Sequence, residues 1–208
     1  MKTLSDPVQS VRMAAMGGLA VLGTNARSAI PCFVQLATDP DAIIRSDAMD
    51  ALRLTRGEPQ VVVPVLTNAL QDSNADVRAR AAFALSVFGT NSAPAIPVLV
   101  SMAAETNEVV RDLAVTALGQ IGSEPEVVVP VLIKALDDTD EWIRANAADG
   151  LGNFSTNASA AVPLLVELHR VEKQRNSPPA PDRPNTVEII GRSLNQIDPV
   201  AAAKAGIK

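Results

Sequence analysis

The chain has 208 residues, of which 47% are hydrophobic and 2% aromatic, and its formal net charge at pH 7 is −5. This charge argues against a duplex-binding surface, which needs a basic stripe, and no apolar run approaches the ~20 residues of a membrane span. Cys32 is the only cysteine, which excludes an internal disulfide, and its apolar neighbours predict a buried thiol. The first residues contain no apolar signal core. We therefore expect a soluble, cytoplasmic protein unless an upstream signal has been removed.

Residues of one type recur every 33 positions in four columns, and each column is filled five times. The columns are Arg12, Arg45, Arg78, Arg111 and Arg144; Pro31, Pro64, Pro97, Pro130 and Pro163; Ala15, Ala48, Ala81, Ala114 and Ala147; and Leu19, Leu52, Leu85, Leu118 and Leu151. Such a tandem period predicts a helical repeat. The abundant small apolar side chains suit closely stacked helices.

In chain order, the first predicted element is a helix over residues 7–22, which has the arginine-bearing pattern but lacks the helix that should precede it. Its uncovered apolar edge favours self-association. The repeats proper follow over residues 26–170, and each is a pair of helices. The first helix of a pair begins near Pro59 or its counterparts, and the column proline falls about five residues inside, where it bends the helix.

An acidic column is expected to close the turn between the two helices of each pair and to favour the start of the second helix, because its carboxylates accept exposed backbone N–H groups. Its members are Asp6, Asp39, Asp72, Glu105 and Asp138. Val77, Ala81 and Leu85 then begin one apolar stripe along the second helix. Gly23, Gly89 and Gly122 are expected to end this helix as left-handed caps, and the other two copies carry Arg56 and Ser155 at that position. A weaker period of 66 residues pairs alternate copies.

The order of Pro64, Asp72 and Arg78 resembles the pattern of HEAT repeats, and the short period is similar to the HEAT-like repeats of phycobilisome lyases. The resemblance covers roughly residues 6–170. It implies an all-α fold, a right-handed α-solenoid or superhelix of stacked antiparallel helix pairs with about 33 residues per repeat. In such repeats the proline-bearing helix lines the convex side and the arginine-bearing helix lines the concave side.

The repeat ends after Arg170. Residues 171–184 read VEKQRNSPPAPDRP, which predicts a polar, proline-rich insertion that does not pack as a helix. Helical patterns return over residues 185–208 and predict capping helices. We expect residues 1–208 to form one domain.

The repeated Asp and Arg columns predict a structural ladder, in which each arginine binds carboxylates or carbonyls with a geometry that lysine cannot copy. His169 is the only histidine, which excludes multi-histidine metal sites and histidine-based triads within one chain. We therefore predict no enzymatic activity, no catalytic residue, no metal and no cofactor.

The positions of the second helices opposite the apolar stripe do not repeat, as expected of the binding groove of a solenoid. Trp142 and Phe83 stand where packing does not require aromatic side chains, and such residues often anchor interfaces. The predicted partner-binding residues of the concave face are Asp47, Asp50, Arg53, Arg80, Phe83, Asp112, Leu113, Thr116, Trp142, Asn146, Asp149 and Asn153. Their acidic bias favours a basic or amphipathic peptide, or a partner protein with a positive patch.

The sequence thus predicts a non-enzymatic scaffold or adaptor that binds a protein or peptide, without nucleic acid or membrane. Two alternatives stay open. The family resemblance implies an enzyme, or an accessory subunit of an enzyme, of the phycobilisome lyase type. The repeats alone are also compatible with a passive structural spacer within a longer protein.

Overall fold

The computed structural model describes residue 6, residues 8–175 and residues 185–207. All regular secondary structure within these residues is helical, so the protein is an all-α solenoid, as predicted. The α-helices are α1 (Gln9–Ala20), α2 (Ile30–Leu36), α3 (Ala42–Thr55), α4 (Pro59–Ala69), α5 (Ala75–Ser86), α6 (Ile96–Met102), α7 (Glu108–Ile121), α8 (Pro125–Ala135), α9 (Glu141–Asn153), α10 (Val162–Arg175), α11 (Thr186–Ile197) and α12 (Pro199–Lys204). Within the described residues, 3-10 helices span Gly23–Ala29, Gly89–Ala95 and Ser155–Ala161. No helix in the described part of the chain has the length and hydropathy needed to cross a membrane.

The chain divides into two compact units, Met1–Val98 and Leu99–Lys208. In the first unit, α1, α3 and α5 lie side by side, while α2 packs on α3 and α4 packs on α5. In the second unit, α7, α9 and α11 lie side by side, while α8 packs on α9 and α10 packs on α11. We use the name second helices for the helices that lie side by side within each unit: α1, α3, α5, α7, α9 and α11. Helices α3, α5, α7 and α9 are the second members of the predicted repeat pairs, and α1 and α11 lie next to them in the same way.

The alanine and leucine columns form the core of each unit, whereas the proline column is exposed. The leucine column is fully buried at Leu52, Leu85, Leu118 and Leu151. In α1, which has no preceding helix among the described residues, Leu19 is only half-buried. Helices α7 and α9 come unusually close, because a Cβ on Gly119 would lie 2.5 Å from the Cα of Gly150.

The residues that start the second helices lie two positions after the acidic column. Asp41, Asn74, Asn107 and Asp140 are the N-caps, and each side chain accepts a backbone N–H of the first turn. Asp72 instead closes the preceding turn, since its Oδ1 accepts the backbone N–H of Asn74 at 2.8 Å. The prediction that the column acid closes the turn is therefore confirmed, whereas its expected role as the cap of the helix was wrong. The acid holds the turn, and the next polar residue holds the helix.

The predicted left-handed conformation is found at all three glycines, but only Gly122 is the C-cap of its helix, because Gly23 and Gly89 lie two residues after the C-caps Val21 and Val87 and begin 3-10 helices. Gly23, Gly89 and Gly122 have φ of 52°, 53° and 64°. Arg56 and Ser155 adopt the same conformation, with φ of 44° and 49°. The backbone geometry of the turn is thus kept even where the residue is not glycine.

The 66-residue alternation corresponds to two ways of building the first helix. In α4 the helix begins at Pro59 and Pro64 lies inside it, as predicted. In the alternate copies a 3-10 helix comes first, and α2 begins at Ile30, which leaves Pro31 in its first turn. The expectation of a proline five residues inside was wrong for these copies. A proline in a first turn lacks only an N–H that no helix bond would use.

Helix α10 extends to Arg175, so residues 171–175 are helical and the predicted loop start at residue 171 was wrong. The reason is a long-range contact. Glu172 is buried and its Oε1 accepts a hydrogen bond from Nη2 of Arg144 at 2.8 Å. The rest of the predicted insertion, residues 176–184, lies outside the described residues, whereas α11 and α12 occupy the predicted capping segment.

Candidate partner-binding surface

The arginine column forms the predicted structural ladder between successive turns. Nε and Nη2 of Arg45 donate to the two carboxylate oxygens of Asp72 at 2.7 and 2.8 Å. Arg111 binds Asp138 in the same way at 2.7 and 3.1 Å. These hydrogen bonds are the main reason why the pKa of both aspartates lies below the ordinary value of an aspartate. The ladder residues are engaged within the fold, so they are excluded from the candidate surface.

The first patch, in the first unit, comprises Asp47, Asp50 and Arg53 on α3 with Arg80 and Phe83 on α5. The structure brings these five predicted residues together. The guanidinium carbon of Arg53 lies 4.7 Å from the ring centroid of Phe83. Oδ1 of Asp50 lies 3.5 Å from Nε of Arg53, and its Oδ2 contacts Arg80. Phe83 is 36% exposed.

The first patch is partly satisfied by its own charges. Asp50 already has two arginine partners, and Phe83 already carries a cation on its ring. Asp47 differs, because burial raises its pKa more than the charge of Arg80 lowers it. A cation supplied by a partner would stabilise the ionised form of Asp47.

The second patch, in the second unit, comprises Asp112, Leu113 and Thr116 on α7 with Trp142, Asn146, Asp149 and Asn153 on α9. Hydrogen bonds between helices hold most of its polar members. Nδ2 of Asn146 donates to Asp112 at 2.7 Å, and Nδ2 of Asn153 donates to the carbonyl of Gly119 at 3.2 Å. Asp149 accepts from Arg192 of α11 at 2.6 Å. Burial raises the pKa of Asp112.

Trp142 is the exposed aromatic of the second patch. It is 46% exposed and follows directly after the first residue of α9. Its backbone N–H donates to Oδ1 of the N-cap Asp140 at 2.7 Å, which holds the start of the helix and therefore the position of the indole. Leu113 and Thr116, which lie on the neighbouring helix α7, are half-buried.

The sequence reasoning missed Val109, which lies one 33-residue step before Trp142 and is 56% exposed on α7. The same column holds the exposed Ile43 in the first unit. The sequence contained a signal for this exposure, because an apolar residue that lies beside an N-cap and outside the apolar stripe does not face the core. Next to Val109, a hydrogen bond with Asp140 raises the pKa of Glu108. Val109, Glu108 and Asp140 therefore add a second exposed apolar side chain and two neighbouring carboxylates at the edge of the second patch.

Cys32 and His169, which the sequence analysis also considered, lie outside both patches. Cys32 is half-buried rather than buried as predicted. His169 is half-buried in α10, and burial, followed by the charge of Lys173, lowers its pKa. In the part of the chain that the structure describes, no three His, Cys, Asp or Glu side chains form a group that could hold a metal ion.

The family model described as HEAT repeats matches residues 1–86, 63–128 and 96–175. No curated protein matches the sequence. Among solved structures, an engineered protein is similar with 23% identity and a TM-score of 0.69, covering 95% of this chain and 94% of its own. A designed armadillo repeat protein in complex with the peptide (KR)4 has 17% identity and a TM-score of 0.70, with 95% and 97% covered. The complex of CpcE and CpcF of phycocyanin lyase from Nostoc sp. PCC7120 has 21% identity and a TM-score of 0.65, with 98% and 77% covered. At these identities the likeness concerns the fold.

Proposed function

Because the chain belongs to the HEAT-repeat family, we propose that it is a non-enzymatic scaffold whose second helices bind a protein or peptide. The observation that carries the proposal is the exposed pair of Trp142 and Val109, one repeat step apart on neighbouring helices. Packing within the second unit leaves half of each side chain uncovered. Large exposed apolar side chains beside a polar rim are typical of interface anchors.

The charges around this pair favour a basic or amphipathic partner. Glu108 lies at the start of α7, beside Val109, and Asp140 caps the start of α9, beside Trp142. The neighbouring carboxylate of Asp140 raises the pKa of Glu108. The raised pKa of Asp112 reflects a desolvated carboxylate on the same face. A lysine or arginine of a partner would relieve both costs, because an opposite charge stabilises the ionised form. The designed armadillo repeat protein of similar fold was solved in complex with a basic peptide, (KR)4.

The first patch plays the smaller role in this proposal. A basic partner would have to compete with Arg53 for the ring of Phe83 and with Arg80 for Asp50, because both contacts are already made inside the unit. Charge pairs at exposed positions contribute little. We therefore assign the main anchor to Trp142 and an auxiliary contact to Phe83.

The test compares partners recovered by the wild type and by a Trp142→Ala, Phe83→Ala double variant. Leu164→Ala is the matched control, since Leu164 is 50% exposed but lies on α10, outside both patches. We expect the double variant to lose a partner that the wild type and the control retain, with all three proteins melting at similar temperatures. Identical partner sets for all three would refute the assignment.

Trp142 is the only tryptophan of the chain, so its fluorescence reports directly on the site. Titrating any recovered partner, or the peptide (KR)4 as a defined basic probe, should shift the emission to shorter wavelength as the indole leaves water. Binding of a recovered partner without a change in this emission would place the interface elsewhere.

The likeness to the CpcE and CpcF complex, which covers 98% of this chain, supports a second candidate function, a lyase-type enzyme or its accessory subunit. A purified protein of this type would carry a visible absorbance band from a bound tetrapyrrole, or would promote pigment transfer to an acceptor protein. A protein with neither a chromophore nor a partner would instead be a structural spacer.

A further inference from the structure

A cavity of about 630 Å³ lies in the first unit, at the turns that connect one helix pair to the next. It is separate from the first patch, because its wall comes from the start of α2, the link between α3 and α4, and the segment after α5. Most of this wall is apolar: Ile30, Pro31, Pro59, Val61, Val87 and Phe88. A cavity of this size accommodates a few side chains of a bound segment.

Two arginines line the cavity without carboxylate partners. Arg56 makes no hydrogen bond or ion pair with the described residues, and the Nε of Arg27 donates only a long bond, 3.4 Å, to the carbonyl of Thr55. Glu58 also lines the wall but forms no ion pair with either arginine within the described residues. The cavity therefore offers two guanidinium groups that bind no carboxylate among the described residues and whose remaining donors can bind an anion.

The repeat does not require these arginines. The equivalent positions 66 residues later are Ala93 and Gly122, and the repeat geometry is the same there. Arg56 also has a φ of 44°, at a position where three other copies carry glycine. A left-handed conformation is unfavourable for a residue with a Cβ, so the choice of arginine opposes folding.

We propose that this cavity is a docking site for an acidic peptide segment, in which carboxylates of the partner pair with Arg27 and Arg56 and a neighbouring apolar side chain enters the cavity. The guanidinium fork matches a carboxylate in a bidentate geometry. The apolar wall favours a peptide over a free anion. Glu58 on the same wall opposes a dianionic phosphate more strongly than a single carboxylate.

A displayed library of random peptides, selected on the immobilised wild type, tests this site. The enriched peptides should contain Asp or Glu next to aliphatic or aromatic residues, and a synthetic fluorescent copy of the most enriched one should bind in an anisotropy titration. Arg56→Gly should weaken this binding at least tenfold without lowering the melting temperature, because glycine suits the backbone of that position. The Arg27→Ala, Arg56→Gly double variant should abolish it.

Arg170→Ala is the control, since it also removes one exposed arginine but lies in the second unit. We expect it to change the affinity less than twofold. The site is refuted if no peptide is enriched, if the enriched peptides are not acidic, if only phosphorylated copies bind, or if Arg56→Gly binds as the wild type does. None of these results bears on the patch around Trp142, which lies in the other unit.

Discussion

Replacing Arg45 by alanine removes one complete rung of the arginine ladder in the first unit. Arg45 makes two hydrogen bonds to the carboxylate of Asp72, at 2.7 and 2.8 Å, and two to the carbonyls of Asp39 and Pro40, at 2.8 and 3.1 Å. The side chains of Arg45 and Asp72 are only 15% and 14% exposed. The substitution therefore leaves a mostly buried carboxylate and two carbonyls without this partner.

The expected cost follows from this burial. Removing one partner of a fully buried ion pair costs about 3–5 kcal/mol, whereas an exposed pair contributes about 0–1 kcal/mol. Water reaches a small part of this rung and can replace some of the lost bonds. We therefore expect Arg45→Ala to lower the free energy of unfolding by about 2–3 kcal/mol at pH 7.

The loss should also depend on pH. The hydrogen bond from Arg45 is the main cause that lowers the pKa of Asp72 below its ordinary value of 3.8. A carboxyl with a lowered pKa in the folded state stabilises the protein above its unfolded pKa, and this contribution disappears as the pH falls through the folded pKa. The difference between wild type and Arg45→Ala should therefore shrink as the pH falls below 3.8, while the part due to the carbonyl contacts remains.

Urea denaturation followed by circular dichroism at 222 nm, over a series from neutral to acidic pH, measures both effects. Arg170→Ala is the matched control, because the Arg170–Glu167 pair is exposed, with 55% and 58% of the side chains accessible. It should cost less than about 1 kcal/mol. An equal loss for the two variants at pH 7, or a loss from Arg45→Ala that stays constant into acid, would refute the reasoning.

Four further substitutions, one of them a control, test the packing. Arg56→Gly should raise stability by about 1 kcal/mol, because φ at this position is 44° and glycine adopts it without strain. Gly119→Ala should lower stability by about 2 kcal/mol or more, since its Cβ would lie 2.5 Å from the Cα of Gly150 and backbone must move. Gly17→Ala is its control and should raise stability by about 0.5–1 kcal/mol, because nothing lies within 4 Å of the new Cβ in α1. Leu85→Ala should cost roughly 2–5 kcal/mol, since Leu85 is fully buried.

Thermal and urea denaturation of the four proteins measure these changes. A lower stability of Arg56→Gly would mean that the arginine makes a folded-state contact that outweighs its strain. Gly119→Ala behaving like Gly17→Ala would show that α7 and α9 separate at little cost. A loss below about 1 kcal/mol for Leu85→Ala would show that the core around it collapses into the space left by the side chain.

The features that repeat were predictable, because each copy supports the reading of the others. Arg45 and Asp72 could be assigned to a ladder, since a group found in every copy serves the fold that every copy shares. The left-handed turn at Gly23 and Gly122 followed from the side chain alone, because only glycine adopts that backbone without strain. Trp142 could be placed outside the core since its position falls off the apolar stripe.

The departures from the repeat needed the structure. Arg56 has the glycine backbone conformation although its side chain opposes it, because the direction of the next helix is set by packing. Helix α10 continues to Arg175 because Arg144, 28 positions before Glu172, binds that carboxylate. The position of Arg27 and Arg56 in the lining of one cavity likewise depends on which segments neighbour them.

The sequence by itself thus determined the all-α repeat, its period and the residues of its core, since these follow from local spacing that recurs along the chain. Only the tertiary structure decided which turns are 3-10, where α10 ends and which charges pair with each other among the described residues. These properties depend on contacts between residues far apart in sequence, and a periodic pattern contains no information about a contact that occurs once.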